Sequence, residues 1–164
     1  MTISFFVPGL ARPKGSKRSI PIYRGKKGQP REFTGKTVLV ESAGAGLKAW
    51  EGQIRGAAAK AFAALVHRKA TSSLVKSKTG TTLPLGLFDG PLAVSLTFTL
   101  LKPKSAPKSR VIYPIKRPDV DKLARSCLDA MTKIVWRDDS QVIKLTAEKT
   151  YGDPPGVSIT VQTV

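Results

Sequence analysis

Five of the chain's eleven acidic residues, Asp119, Asp121, Asp129, Asp138 and Asp139, fall within 21 residues, where an even spread over 164 would place about 1.4. The chain around them is strongly basic, with 28 Lys and Arg and a net charge of +17. That balance favours a polyanionic partner, nucleic acid ahead of an anionic membrane surface, over a small neutral substrate. Bare carboxylates repel a phosphodiester, and the usual way to make them useful beside one is to put a divalent cation between them. The charge is also unevenly divided. Residues 1–118 hold 22 basic and 4 acidic side chains, whereas residues 119–164 hold 6 basic and 7 acidic. A single Cys and a single His exclude an intrachain disulfide, a multi-Cys zinc site and paired-imidazole chemistry, so any reaction rests on carboxylates, hydroxyls and bases.

The acids need elements to hold them. After Pro118 the apolar residues Leu123, Cys127, Leu128, Met131 and Val135 recur at helical spacing, which predicts a helix starting near Asp119 to Asp121. Arg125 lies four residues after Asp121, about 40° round the axis, and so shares its face. Asp138 and Asp139 follow after a short turn at Trp136-Arg137, and a third ligand reaches the helix start only if the next strand runs back along the helix. Asp129, four residues from both Arg125 and Lys133, reads as a surface ion-pair partner. Acids at a helix start also serve as caps and dipole partners, so the spacing alone leaves capping and metal binding both open.

Elsewhere, Ile3, Phe5 and Val7 alternate before Pro8-Gly9 and predict an opening strand; Leu92, Val94, Leu96, Phe98 and Leu100 predict a strand buried on one face. Two closing strands are expected near 141–151 and 157–163, separated by a Gly-Asp-Pro-Pro-Gly turn. Leu47, Trp50, Ile54, Ala57, Ala61, Phe62 and Leu65 mark an amphipathic helix over about 43–67. Residues 12–36 and 102–117, broken by Pro and Gly, read as two basic loops, together 15 basic residues against one acid, and 68–90 reads as an insertion loop. The loops make Arg12, Lys14, Lys17, Arg18, Lys102, Lys104, Lys108, Lys116 and Arg117 the expected DNA contacts. Cys127, Trp50, Trp136 and Met131 belong to apolar stripes and are expected in the core. The longest apolar run, Ala61 to Val66, is too short to span a membrane, and no basic segment precedes Ile3 to Val7 as in a secretory signal; the expected setting is cytoplasmic. One α+β (mixed α/β) domain over 1–164 is expected, a small sheet packed on two main helices.

The strings RPDVDKLARSCLDAM and WRDDSQV resemble the RusA family of Holliday-junction resolvases, whose signature is a DxDN(L)xK helix followed by a DDxQV strand entry. The similarity extends to VPGLARPKGSKR, DGPLAVSLTFTLLKPKS and KTYGDPPGVSITV. It implies a Mg²⁺-dependent (Mn²⁺ also possible) endonuclease acting on four-way or otherwise branched DNA as a homodimer. Asp119, Asp121 and Asp139 take the positions of the family's metal-binding aspartates. Lys122 stands where the family has Asn, and Arg125 where it has a lysine needed for cleavage, so Arg125 is expected to stabilise developing charge. Two rivals share these features: a non-catalytic DNA or RNA binder with a structural Asp cluster, and a nuclease for flaps or other branched forms.

Overall fold

A computed structural model describes residues 1–15, 17–25, 30–41, 46–72, 87–107 and 110–164. Within them the α+β expectation holds: two helices cover one face of a four-stranded mixed sheet, and a two-stranded ribbon forms a second, small sheet. The elements in order are β1 (Thr2–Pro8), β2 (Lys17–Arg24), β3 (Glu32–Glu41), α1 (Leu47–Ser72), β4 (Leu92–Leu100), α2 (Val120–Met131), β5 (Val142–Tyr151) and β6 (Gly156–Thr163). Among the described residues no helix is long and apolar enough to cross a membrane.

The main sheet has the order β1-β6-β4-β5, with β1/β6 and β6/β4 antiparallel and β4/β5 parallel. Alternation decides which face is buried. Leu92, Val94, Leu96 and Phe98 of β4, Val157, Ile159 and Val161 of β6, and Ile3 and Val7 of β1 pack under the helices. Ser4, Ser95, Ser158 and Gln162 lie on the opposite, exposed face. Helix α1 adds Leu47, Trp50, Ile54, Ala58, Phe62 and Leu65 to the core, a stripe at three- and four-residue spacing. Helix α2 adds Leu123, Ala124, Cys127, Ala130 and Met131, while Val135 and Trp136 of the following turn are fully buried. The four residues assigned to the core from sequence are therefore there, and burial pushes the Cys127 thiol up to about 12, which makes it inert.

Two sequence expectations are corrected. The basic stretch over 12–36 is not all loop: β2 and β3 pair antiparallel through Lys17↔Glu41, Ile20↔Val38 and Tyr23↔Phe33. β-branched and aromatic residues support the pairing, and Pro21 is accommodated because the register shifts beside it and each strand of a two-stranded ribbon keeps one free edge. Likewise, α1 continues beyond 67 to Ser72, through residues that include no Gly or Pro to stop it. The rest of the expected insertion loop up to residue 86, and Lys108, lie outside the described residues. Residues 101–107 and 110–119 carry no strand or helix.

Glycines separate tight positions from open ones. A Cβ on Gly156, which pairs with Pro8 in the β1/β6 ladder, would press on the Phe6 ring and sit 2.5 Å from the Val7 carbonyl oxygen, whereas Gly56 on α1 faces open space. Gly156→Ala is expected to destabilise by about 1–3 kcal/mol through overpacking, and Gly56→Ala to stabilise by about 0.5–1 kcal/mol through helix propensity. Urea melts of the two variants should therefore shift in opposite directions.

Candidate active site

Asp119 occupies the N-cap of α2 with extended backbone (φ −74°, ψ 137°), yet its side chain makes no capping hydrogen bond. Its carboxylate instead meets the Lys122 ammonium at 3.1 Å, with both side chains more than a third exposed. Asp121 lies exposed in the first turn of the same helix. Arg125, also exposed, follows one turn later on that face and makes no ion pair among the described residues. The capping alternative thus loses its main support at Asp119. Two oxygen donors and a guanidinium are left facing solvent at the start of a rigid helix.

That start is held from below. Leu145, Ala147, Lys149 and Tyr151 of β5 pair with Val94, Leu96, Phe98 and Leu100, and so share the helix-facing side of the sheet. From there the Lys149 ammonium donates to the carbonyl of Lys116 at 2.9 Å and to that of Pro118 at 2.8 Å. Two of its three donors therefore fix the residues just before Asp119. Sequence reading passed over Lys149. The available signal was a lysine at an inward position of an alternating strand.

The other acids take different roles. Asp129 does form an ion pair, but with Lys14 at 2.8 Å rather than with Arg125 or Lys133. Lys14 also meets Glu51 at 3.2 Å, and its backbone N–H donates to the Lys122 carbonyl at 2.9 Å. The hydrogen bond to Asp129, ahead of the Glu51 contacts, raises the Lys14 pKa above the usual lysine value. This lysine pins the segment before β2 onto α1 and α2, so it is committed to carboxylates and not to phosphate. Asp138 caps the single 3₁₀ turn Asp139–Gln141: the Ser140 backbone N–H donates to it at 2.9 Å and holds its carboxyl below the usual carboxylate range. Gln141 completes that turn. Its Oε1 accepts from the Arg137 and Asp138 N–H groups, and its Nε2 donates to the Phe88 and Gly90 carbonyls.

Asp139 is exposed, and the chain does not bring it to the pair. Helix α2 has 12 residues, about 18 Å at 1.5 Å per residue, and Asp119 and Asp139 flank its opposite ends. β5 does run back along the helix, as a third ligand would require, but the residue it carries to the helix start is Lys149. Among the described residues no three Asp, Glu, His or Cys gather as a metal site. Of the expected DNA contacts, Arg12, Lys102, Lys104, Lys116 and Arg117 are exposed, and Lys17 and Arg18 lie on the backbone of β2.

The basic α+β fold thus sets two carboxylates at the start of a helix that crosses over between parallel strands. The family whose sequence profile matches is Endodeoxyribonuclease RusA, over residues 64–162, more than half of the chain. The chain belongs to that family. It is also 28% identical over 90 residues, 49% of this chain, to the "Uncharacterized protein YqaN" of Bacillus subtilis (strain 168), and the match spans 63% of that protein's length.

If Asp119 and Asp121 hold a divalent cation and Lys149 positions them, Lys149→Met should raise the half-saturating Mg²⁺ concentration by about 10- to 100-fold, the usual cost of removing an outer partner of a metal site. Lys149→Arg, which keeps the donors, should lose less. Mg²⁺ titration by calorimetry checks this; unchanged affinity beside a lowered melting temperature would leave Lys149 with a purely structural role.

Proposed function

We propose that this protein is a divalent-metal-dependent endodeoxyribonuclease that resolves four-way DNA junctions by paired symmetric nicks, acting in the cytoplasm in recombination and repair. The observation that carries the reading is the exposed Asp119 and Asp121 pair, free of capping bonds, at a helix start inside a +17 chain of the RusA family. Both residues offer hard carboxylate oxygens, which suit Mg²⁺ or Mn²⁺. When bound, such an ion supplies the charge that lets carboxylates and a phosphodiester share one site and makes water a better nucleophile there. Arg125 braces a phosphate oxygen with forked donors, and Lys116 and Arg117 meet the backbone of the DNA. Arginine keeps its proton at any working pH, so its role is electrostatic and not proton transfer.

The separation of Asp139 from the pair supports a homodimer. A two-fold axis that reverses the direction of α2 exchanges its ends, bringing Asp139 of the partner subunit toward Asp119 and Asp121. β5 is the sheet's edge strand on that side, and it exposes Ile143 (65%) and Leu145 (45%), apolar surface suited to a second copy.

Asp119→Asn and Asp121→Asn are each expected to abolish cleavage of a synthetic junction in Mg²⁺ while leaving junction binding intact or tighter, because repulsion of phosphate falls. Mixing subunits separates the two geometries. Asp119→Asn and Asp139→Asn are each inactive alone, but a mixed dimer holds one unaltered composite site and regains single nicks on a cruciform plasmid. No recovery after subunit exchange means that each site is built within one chain. At Arg125, Ala should cost on the order of 10²–10³ in single-turnover rate and Lys no more than about tenfold. An Ala variant that cleaves like the parent removes Arg125 from the site.

A further inference from the structure

The β2–β3 ribbon leaves an unusual surface uncovered. Among the described residues, neither strand packs substantially on α1, α2 or the four-stranded sheet. Yet the ribbon exposes Tyr23 (53%) and Phe33 (55%), which are cross-strand partners with ring centroids 5.8 Å apart at an interplanar angle of 56°. A built irregularity holds them there. Pro21 pairs with Thr37 and Tyr23 with Phe33, so β3 carries two extra residues across that step. Gly35 takes up the excess at φ +74°, and the Thr34 hydroxyl donates to the Ile22 carbonyl at 2.8 Å. Bulges of this kind re-aim side chains. Tyr23, Phe33, Arg24, Thr34 and Lys36 line an open concavity of about 700 Å³.

We propose that the Tyr23–Phe33 pair is a stacking platform for unpaired nucleobases exposed where branched DNA opens. The inference rests on the branched-DNA reading above and adds the chemistry by which a branch is told from plain duplex. Three observations choose a base over an apolar protein surface. The first is charge: residues 17–41 hold seven basic and two acidic side chains, and the concavity beside the rings is lined by two cations, Arg24 and Lys36, against one acid, Glu32. Aromatic faces interleaved with cations are how proteins hold single strands, because every base has a π-face and every linkage a phosphate. The second is geometry. Rings tilted at 56° and 5.8 Å apart leave no slot between them, so a base lies on their outer faces as on a platform. The third is location: Lys14, bonded through its N–H to the Lys122 carbonyl of the carboxylate helix, is three residues before the ribbon begins, within about 11 Å of chain. From the start of the ribbon at Lys17, Tyr23 lies six residues along β2, about 20 Å at strand rise. The pair can touch a branch point while Asp119 and Asp121 stand at a phosphate to be cut. In intact duplex the π-faces are hidden, and the ribbon meets phosphates alone.

The test measures anisotropy of the full chain in EDTA with three labelled probes: a four-way junction, a thymidine oligomer and a linear duplex. The Tyr23→Leu/Phe33→Leu double variant keeps apolar bulk for the ribbon and removes both π-faces. It should weaken binding to junction and oligomer by about 10- to 100-fold, in line with the loss of one or two stacked bases, and to duplex by less than about threefold. An Arg24→Gln/Lys36→Gln variant should weaken all three alike and flatten the salt dependence. As a direct reporter, Tyr23→Trp should lose emission on adding the oligomer, against the buried Trp50 and Trp136. Equal weakening on junction and duplex by the double variant, or Trp emission unmoved by the oligomer, overturns the proposal. So does a double variant that scatters light as a smaller species than the parent, since a second copy would then cover the pair. A parent that binds the oligomer through these rings but shows no preference for junctions supports the platform and sinks the branched-DNA reading. A junction-selective parent whose double variant stays selective does the reverse.

Discussion

The parallel pairing of β4 and β5 constrains everything at the site. Two neighbouring parallel strands require a crossover, and here the crossover is α2, which must run opposite to both strands. Its start therefore lies beyond the carboxyl ends of β4 and β5, the edge at which open sheets with such crossovers place their ligands. Its end lies beside the amino ends, where Gln141 ties the next turn to Phe88 and Gly90. Asp119 and Asp139, twenty residues apart in sequence, are thus sent to opposite ends by topology and not by any local preference. Lys149 completes the arrangement, since a position late in β5 necessarily returns to the level of the helix start.

Electrostatics then sorts five acids that look alike in sequence. Asp129 is neutralised by Lys14, a part-buried ammonium that is shared with Glu51. Asp138 is consumed by a backbone N–H at a turn. Asp119 retains an exposed partner, Lys122, in a pair of the kind that contributes little to stability and gives way readily to a stronger charge. Asp121 has no partner among the described residues. Asp139 is exposed at the far end of α2 and makes no ion pair among the described residues, so the acids not committed to the fold are Asp139 there and Asp119 and Asp121 at the head of the helix. In a chain with 28 basic side chains, carboxylates at a defined helix start that make no capping bond and hold at most one exposed i,i+3 partner are a chemical feature and not a folding one.

How much of this was legible depends on what each residue pays its debts to. β1, β4 and β6 bury one face against helices, so Ile3, Val94 or Val161 had to alternate with polar neighbours and could be read directly. Among the described residues β2 and β3 bury no side chain fully, so no period marks Ile22 or Leu39, and Pro21 and Gly35 look like loop residues although one sits beside a register shift and the other inside it. The carboxylate pair and Arg125 were legible because helical spacing fixes their common face. Lys149 was not, and Gln141 was visible only as a position in the WRDDSQV string and not by its role, because their partners are carbonyls of Pro118, Phe88 and Gly90. A side chain that bonds to main chain leaves no complementary residue to find. The position of Asp139 was open for a related reason: spacing states how far a chain can reach, whereas the direction of β5 states where it goes.

The features that a single chain leaves unanswered are of two kinds, and the difference separates partners. Ile143 and Leu145 sit on an open strand edge of the main sheet, with Lys144 between them, so burying them is a matter of apolar area and backbone pairing such as a second copy can supply. Tyr23 and Phe33 sit on a ribbon dense in cations, away from the core, where an apolar protein surface would have to desolvate Arg24 and Lys36 to reach them. DNA desolvates neither without compensation, because its phosphates pair with the cations while its bases cover the rings. The same sequence thus offers one surface suited to symmetry and another suited to nucleic acid. The carboxylate pair lies on the helix that packs against the first, and the N–H of Lys14 roots the second on that same helix.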